Sequence, residues 1–179
     1  MRHFKVPKER IGVLIGPDGE TKSLIEKRLG VELLVDSREG DVEVDDRRSE
    51  DPLAQLKAGN VVRAIARGFS PQIALKLTSD DMYLTVLDIH EFTGKNKFHV
   101  RRVTARIVGT EGKTRRHIEE LTGANISVYG HTVAVIGPLE GHDVAREAVA
   151  MILSGSEHAS VYKFLEAKRR AAKMAEYGF

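Results

Sequence analysis

The sequence contains no cysteine and no long apolar run. Without cysteine the chain can form neither a disulfide framework nor a thiolate zinc site. The apolar runs are too short to span a bilayer, and residues 1–20 lack the pattern of a secretory signal. The hydrophobic fraction of 41% and the charged fraction of 30% are those of a folded chain rather than a disordered one. We therefore expect a cytoplasmic protein with no membrane partner.

The net charge is only +2, but the charges are unevenly distributed along the chain. Residues 95–116 contain one acid and the eight cations Lys95, Lys97, Arg101, Arg102, Arg106, Lys113, Arg115 and Arg116. Residues 163–173 carry five further cations against one acid, whereas residues 36–51 are rich in acids. A positive field concentrated in the second half of the chain suits a polyanion such as nucleic acid.

A loop with two glycines occurs twice, 93 residues apart, as Gly-Pro-Asp-Gly at residues 16–19 and Gly-Thr-Glu-Gly at residues 109–112. Each loop follows an apolar segment and precedes a helix-like segment, which Gly30 or Gly123 ends as a left-handed cap. A repeat of this length indicates duplicated domains. Glycines beside a helix N-terminus let backbone N–H groups meet an anion with no Cβ in the way. The repeat therefore predicts two binding modules for a repeating anion, such as a nucleic-acid backbone.

Each copy predicts the element order β-α-α-β-β-α, so the fold class is α+β. The predicted helices span about 8–15, 20–29 and 52–67 in the first copy and about 98–108, 113–121 and 138–153 in the second. The predicted strands span 3–6, 31–35, 42–44, 83–90, 125–128 and 132–136. A short helix over 69–78 is expected between the copies, and an amphipathic helix over about 157–176 ends the chain.

Each copy resembles a KH domain of the eukaryotic type, type I, in which a Gly-x-x-Gly loop lies between two helices. Together with the two loops, residues 122–134 and 161–170 resemble the tandem-KH small-subunit ribosome assembly factors called Dim-two or partner-of-Nob, in their compact archaeal form. Krr-type factors share the tandem plan and are the nearest relatives. The resemblance implies two type I KH domains packed together, plus a C-terminal helix.

The resemblance also implies domain limits and partners. The first KH domain would span residues 1–68, a linker helix 69–82, the second KH domain 83–155 and a basic amphipathic helix 156–179. The implied RNA partner is the single-stranded 3′ region of small-subunit rRNA. The implied protein partners are a Nob-type endonuclease and other small-subunit assembly or initiation proteins.

The KH resemblance and the charge pattern select the candidate site in the second copy. A KH loop clamps the backbone of about four nucleotides, and the bases lie in a groove beside it. The expected RNA-binding residues are Arg102, Arg106, Ile107, Gly109, Thr110, Glu111, Gly112, Lys113, Arg115, Arg116, Ile126 and Val128. The sequence does not distinguish which of the apolar members face the groove and which face the core.

The loop of the first copy is less suited to an anion. Pro17 removes an amide donor, and Asp18 and Glu20 place carboxylates where a phosphate would approach. We expect only weaker or vestigial RNA binding at Gly16, Pro17, Asp18, Gly19 and Lys22, and a structural or protein-docking role for this copy.

An enzyme is the competing class, and we expect no catalytic residue, metal, cofactor or small-molecule substrate. Residues 112–114 resemble the end of a phosphate-binding NTPase loop, but Ile107 stands where that motif needs glycine. The Asp pairs at 45–46 and 80–81 are more typical of caps and turns than of a two-metal nuclease. The histidines follow no metal-ligand spacing. A KH protein acting in mRNA or translation control is the other alternative.

Overall fold

The computed structural model describes residues 1–178 and divides into two compact units, Met1–Leu84 and the chain from Thr85 onward. Each unit has helices on a three-stranded sheet, and the predicted α+β fold of two type I KH domains is confirmed. The division falls within one strand, residues Met82–Asp88. The domain limits at residues 68 and 155 stay predictions.

The first unit follows the predicted element order. Its elements are β1 (Arg2–Lys5), α1 (Lys8–Ile15), α2 (Glu20–Leu29), β2 (Glu32–Asp36), β3 (Asp41–Asp45), α3 (Ala54–Ala66) and α4 (Pro71–Ala74). Strand β3 is central and pairs antiparallel with both neighbours, with Val44 opposite Arg2 and Leu33. Leu14, Ile25, Leu33 and Ile65 are almost fully buried and form part of the core. Apolar residues of both helices of the loop therefore face the sheet.

The second unit repeats this arrangement and adds two helices. Its elements are β4 (Met82–Asp88), α5 (His90–Thr93), α6 (Lys97–Val108), α7 (Lys113–Thr122), β5 (Asn125–Tyr129), β6 (Thr132–Pro138), α8 (Leu139–Leu153) and α9 (His158–Glu176). Strand β6 is central, between β4 and β5. Val161 and Leu165 of α9 are buried with Ile118 and Ile152, so this helix completes the second core.

Both helix-ending glycines have the predicted left-handed conformation, with φ 64° at Gly30 and 73° at Gly123. Two predicted elements differ from the structure. The helix expected over 69–78 is α4 followed by a 3-10 turn, Leu75–Thr78. The strand expected over 83–90 ends at Asp88, because the Asp88 carboxylate accepts the His90 N–H at 2.9 Å and starts α5.

One carboxylate in the first unit is held by an arginine two residues further on. Arg47 donates to Asp45 from its guanidinium, with Nε 3.0 and 2.9 Å from the two carboxylate oxygens, and from its backbone N–H. These hydrogen bonds lower the pKa of Asp45 from 3.8 to about 2. Because the folded-state pKa lies below the unfolded one, the stabilisation is present above about pH 4 and is lost as pH falls toward 2.

We expect Asp45→Asn to lower the stability at pH 7 and to flatten the fall in stability between about pH 4 and about pH 2. Urea unfolding at several pH values, followed by circular dichroism, measures both effects. Asp41→Asn is the control, because Asp41 is exposed and forms its ion pair with the exposed Lys5. An acid profile for Asp45→Asn identical to that of the unaltered protein would contradict this assignment.

Candidate nucleic-acid interface

The two glycine loops have the same backbone conformation. The first glycine has φ 74° and ψ 174° at Gly16, and 75° and 173° at Gly109. The third residue is left-handed although it is not glycine, with φ 51° at Asp18 and 55° at Glu111. A 3-10 turn over each loop leads directly into α2 or α7. The duplication in the sequence is therefore a duplication of loop geometry.

The first glycine of each loop is required by a close approach. A Cβ at Gly109 would lie 2.3 Å from the Thr114 hydroxyl, and one at Gly16 would lie 2.3 Å from the Thr21 hydroxyl. The second glycine of the loop is less crowded. A Cβ at Gly112 would meet nothing closer than a guanidinium nitrogen of Arg115 at 3.8 Å. The outer end of the loop is therefore open, and an anion can approach the backbone there.

Cations surround the loop of the second unit. Lys113 is exposed at the first position of α7. Arg116 donates to the carbonyl oxygens of Glu111 at 2.8 Å and Gly112 at 3.4 Å, so it holds the left-handed residue of the loop in place. Arg115 is half-buried and lies 3.7 Å from the Glu119 carboxylate. Lys113 is thus the loop cation best placed to meet a phosphate, and Arg116 combines a loop contact with an exposed charge.

The loop of the first unit lacks a cation at two of the corresponding positions. Glu20 stands where the second unit has Lys113, and Ser23 stands where it has Arg116. Pro17, Asp18 and Glu20 are exposed. The Lys22 ammonium lies 2.8 Å from the Glu26 carboxylate, as the equivalent Arg115 lies near Glu119 in the second unit. The first loop therefore keeps the backbone geometry without the cations.

Four of the expected contact residues pack against the second core or hydrogen-bond to protein groups. Ile107 (0% exposed) and Ile126 (2%) belong to the core, so their side chains are not accessible at the surface. Val128 is half-buried against the same core. Arg106 donates to the carbonyl oxygens of Ile152, in the last turn of α8, and Ser156, in the segment before α9, so its guanidinium is engaged with protein groups.

The remaining predicted residues lie at the surface. Thr110 and Glu111 are exposed on the loop, and Gly109 and Gly112 are half-exposed. Arg102 is exposed one turn before Arg106 and shares its face of α6. Among these residues, the loop and Lys113 form the continuous part of the site.

Helix α9 supports the loop from behind, which the sequence did not indicate. The Tyr162 hydroxyl donates to the Thr114 hydroxyl oxygen at 3.2 Å, and Thr114 is the residue that contacts Gly109. The Tyr162 ring also meets the His117 ring edge to face, with centroids 4.7 Å apart. His158 lies 2.9 Å from the carbonyl oxygen of Arg106. The C-terminal helix therefore belongs to the architecture of the second loop.

Sequence reasoning missed a cluster at the other end of α6. Lys97, Arg101 and Thr104 lie on one face of the helix, at spacings of four and three residues, and line a cavity of about 330 Å³ with His90 and Gly130. The helical spacing of the two cations was visible in the sequence. The approach of His90 and Gly130 was not, because it depends on the place of β4 beside β6 in the sheet.

The structure also brings Asp88, His90 and His131 together, with one ligand atom of each within 4.8 Å of the others. The two imidazole rings are stacked, with centroids 4.2 Å apart and planes 8° from parallel. A metal ion bound through both nitrogens would have to lie near both ring planes, which nearly parallel stacked rings do not allow. In this arrangement the three residues form a hydrogen-bonded stack and not a metal centre.

Among residues 1–178, no helix has the length and apolar character needed to cross a membrane.

A three-stranded sheet with a Gly-x-x-Gly loop between two helices is the architecture of a KH module, and sequence comparison agrees. Residues 83–170 match the family described as a eukaryotic-type KH domain, KH-domain type I. The chain is 51% identical over 175 residues to the KH domain-containing protein MJ0443 of Methanocaldococcus jannaschii, covering 97% of this chain and 76% of that protein. It is 27% identical over 136 residues to the pre-rRNA-processing protein PNO1 of Eremothecium gossypii, covering 75% of this chain and about half, 51%, of that protein.

Solved structures give the same result. Dim2p from Pyrococcus horikoshii is 42% identical with a TM-score of 0.86, covering 93% of this chain and 98% of that one. A chain of the a/eIF2alpha–aDim2p–rRNA complex from the same organism is 42% identical with a TM-score of 0.88, covering 95% and 94%. The chain belongs to the Dim-two, or PNO1, family of KH-domain proteins.

The different surroundings of the two loop glycines give a prediction for stability. Gly109→Ala should lower the free energy of unfolding by about 3 kcal/mol, because a Cβ there meets Thr114 and the backbone conformation is nearly exclusive to glycine. Gly112→Ala should cost about 1 kcal/mol, because only the left-handed conformation is strained. Urea unfolding of both variants measures the difference. Equal losses would show that the Thr114 contact does not constrain the loop.

Proposed function

We propose that this protein holds the single-stranded 3′ region of small-subunit rRNA during assembly of the small ribosomal subunit. The loop at residues 109–112 would be the main clamp. The observation that carries the proposal is the open end of this loop at Gly112, next to the exposed ammonium of Lys113. The complex of aDim2p with rRNA and a/eIF2alpha supports the choice of RNA.

The clamp would act through the backbone first and the side chains second. The N-terminus of α7 carries the positive end of the helix dipole and directs N–H groups toward the loop. Lys113 adds a full charge at that end, and Arg116 fixes the loop carbonyls so that they do not turn toward the phosphate. Because Arg106 and Arg115 are engaged with protein groups, phosphate attraction depends on few side chains.

The first unit would act through protein contacts more than through RNA. Its loop has the clamp geometry, but Glu20 replaces a cation and Lys22 is paired with Glu26. The a/eIF2alpha component of the complex with aDim2p supports an initiation protein as one partner, beside the Nob-type endonuclease implied by the family. Both roles are non-enzymatic, and the rRNA would be met in the cytoplasm, as the sequence leads us to expect.

The two loops provide a matched pair of variants that tests the clamp. Gly112→Asp places a carboxylate at the open end of the second loop and should weaken RNA binding by more than about tenfold. Gly19→Asp has the same backbone strain, since φ is 73° at Gly112 and 76° at Gly19, but should weaken binding by less than about threefold. Fluorescence anisotropy with an oligonucleotide of the small-subunit rRNA 3′ end measures both, and a scrambled oligonucleotide tests sequence preference.

Equal losses in the two variants would contradict the assignment of the clamp to the second unit. Equal binding of the scrambled oligonucleotide would contradict the choice of the rRNA 3′ region, even if the clamp itself is correct. Thermal unfolding of both variants checks that neither loss reflects a general failure to fold.

The salt dependence of binding tests how many phosphates are neutralised. With about four phosphates in the clamp, log K should fall with log salt with a slope of about −3. Lys113→Ala should reduce the magnitude of this slope by about 0.7, because one phosphate contact is lost. A slope near zero in the unaltered protein would exclude a phosphate clamp.

A further inference from the structure

We propose that the cavity bounded by α5, α6 and the β5–β6 turn is a further nucleotide subsite, which binds one base beyond those held at the glycine loop. This inference rests on the proposed function, because it extends the RNA path of the second unit. The cavity has a volume of about 330 Å³. We call it the histidine cavity, after His90, which lines it together with Lys95, Lys97, Arg101 and Gly130.

The charges of the histidine cavity suit a phosphate-bearing ligand. Lys95, Lys97 and Arg101 are exposed, and none of the ion pairs recorded for residues 1–178 involves them. No acid lines the cavity alongside them. These three cations therefore face a ligand without internal competition, unlike Arg106 and Arg115.

His90 supplies an aromatic ring at the cavity, and His131, which does not line the cavity, supports that ring from one side. The His90 ring is stacked on His131, and the side chains of the two residues are 28% and 48% exposed. Asp88 holds the pair in place. Its carboxylate lies 2.9 Å from the ring nitrogen Nδ1 of His131 and accepts a hydrogen bond from the backbone N–H of His90 at 2.9 Å. The Ile89 N–H donates to the His131 carbonyl oxygen at 2.8 Å, so α5 and the turn are fixed to each other. Single-stranded RNA is commonly read by bases stacked on aromatic rings, histidine included.

The histidine cavity is connected to the clamp by helix α6. Arg101 precedes Gly109 by eight residues, which is about 12 Å along the helix axis. A strand held at the loop reaches the cavity by continuing along this face. The first unit has no counterpart, because β1 ends at Lys5 and α1 begins at Lys8, without a helix equivalent to α5. The extra subsite therefore occurs in the unit whose loop also carries the cations.

RNA length separates the subsite from the clamp. We would measure binding of an RNA of about four nucleotides and of two RNAs extended by about four more at the 5′ or the 3′ end. In the unaltered protein, one extension should tighten binding at least about fivefold. His90→Ala should remove most of that gain and leave the affinity for the short RNA within about twofold. Phe92→Ala is the control, because Phe92 lies on the same helix, is 39% exposed and does not line the cavity.

A second variant guards against a local change of structure in His90→Ala. Lys97→Gln alters an exposed side chain and should lower the salt dependence for the extended RNA only. If the gain in affinity from the longer RNA persists in both variants, or is absent from the unaltered protein, the subsite is contradicted and the clamp is not. Failure of the unaltered protein to bind the short RNA would overturn the clamp and the subsite with it.

Discussion

The contact between the first loop glycine and the threonine that follows the loop is the constraint on which the functional end of each unit depends. In the second unit Thr114 is 4% exposed, and its hydroxyl leaves no room for a Cβ at Gly109. This contact brings the end of α6 onto the start of α7, and Tyr162 of α9 reaches the same hydroxyl. The loop is therefore rigid at its base and open at its tip, which is the arrangement a backbone clamp requires.

The two units show that this geometry and the charge of the site are independent. The backbone angles of the two loops agree to within a few degrees, and Thr21 repeats the packing of Thr114. Charge differs because Glu20 and Ser23 stand where the second unit has Lys113 and Arg116, whereas the Lys22–Glu26 pair has a counterpart in Arg115 and Glu119. The packing contact stabilises the fold whether or not RNA binds, so a unit can keep it while its surface serves another partner.

The sequence predicted the helices around both loops, since α1 and α2 have the predicted bounds and α6 and α7 each differ from theirs by one residue. It could not divide α6 into a core face and a groove face, because Ile107 and Arg106 fit either side until the positions of α8 and α9 are known. The stack of His90 on His131 joins residues 41 positions apart through a strand pairing, and no local spacing encodes it. The local sequence pattern predicts helices and strands, whereas the partners of each side chain depend on tertiary packing.

Some cations of the second unit hold the site rigid, and others are free to attract RNA. Arg106 and Arg116 donate to backbone carbonyls, so they organise the ends of α6 and α8 and the loop itself. Contacts to phosphate position a strand without reading its sequence, and Lys113 is the cation that we propose for such a contact. We propose that base selection comes from the surface along α6, where His90 and the cations of the histidine cavity lie. The rigid loop would hold a strand of any sequence, and the surface beside it would favour certain bases. Together they would place the RNA in a defined register even if the affinity of the module is modest.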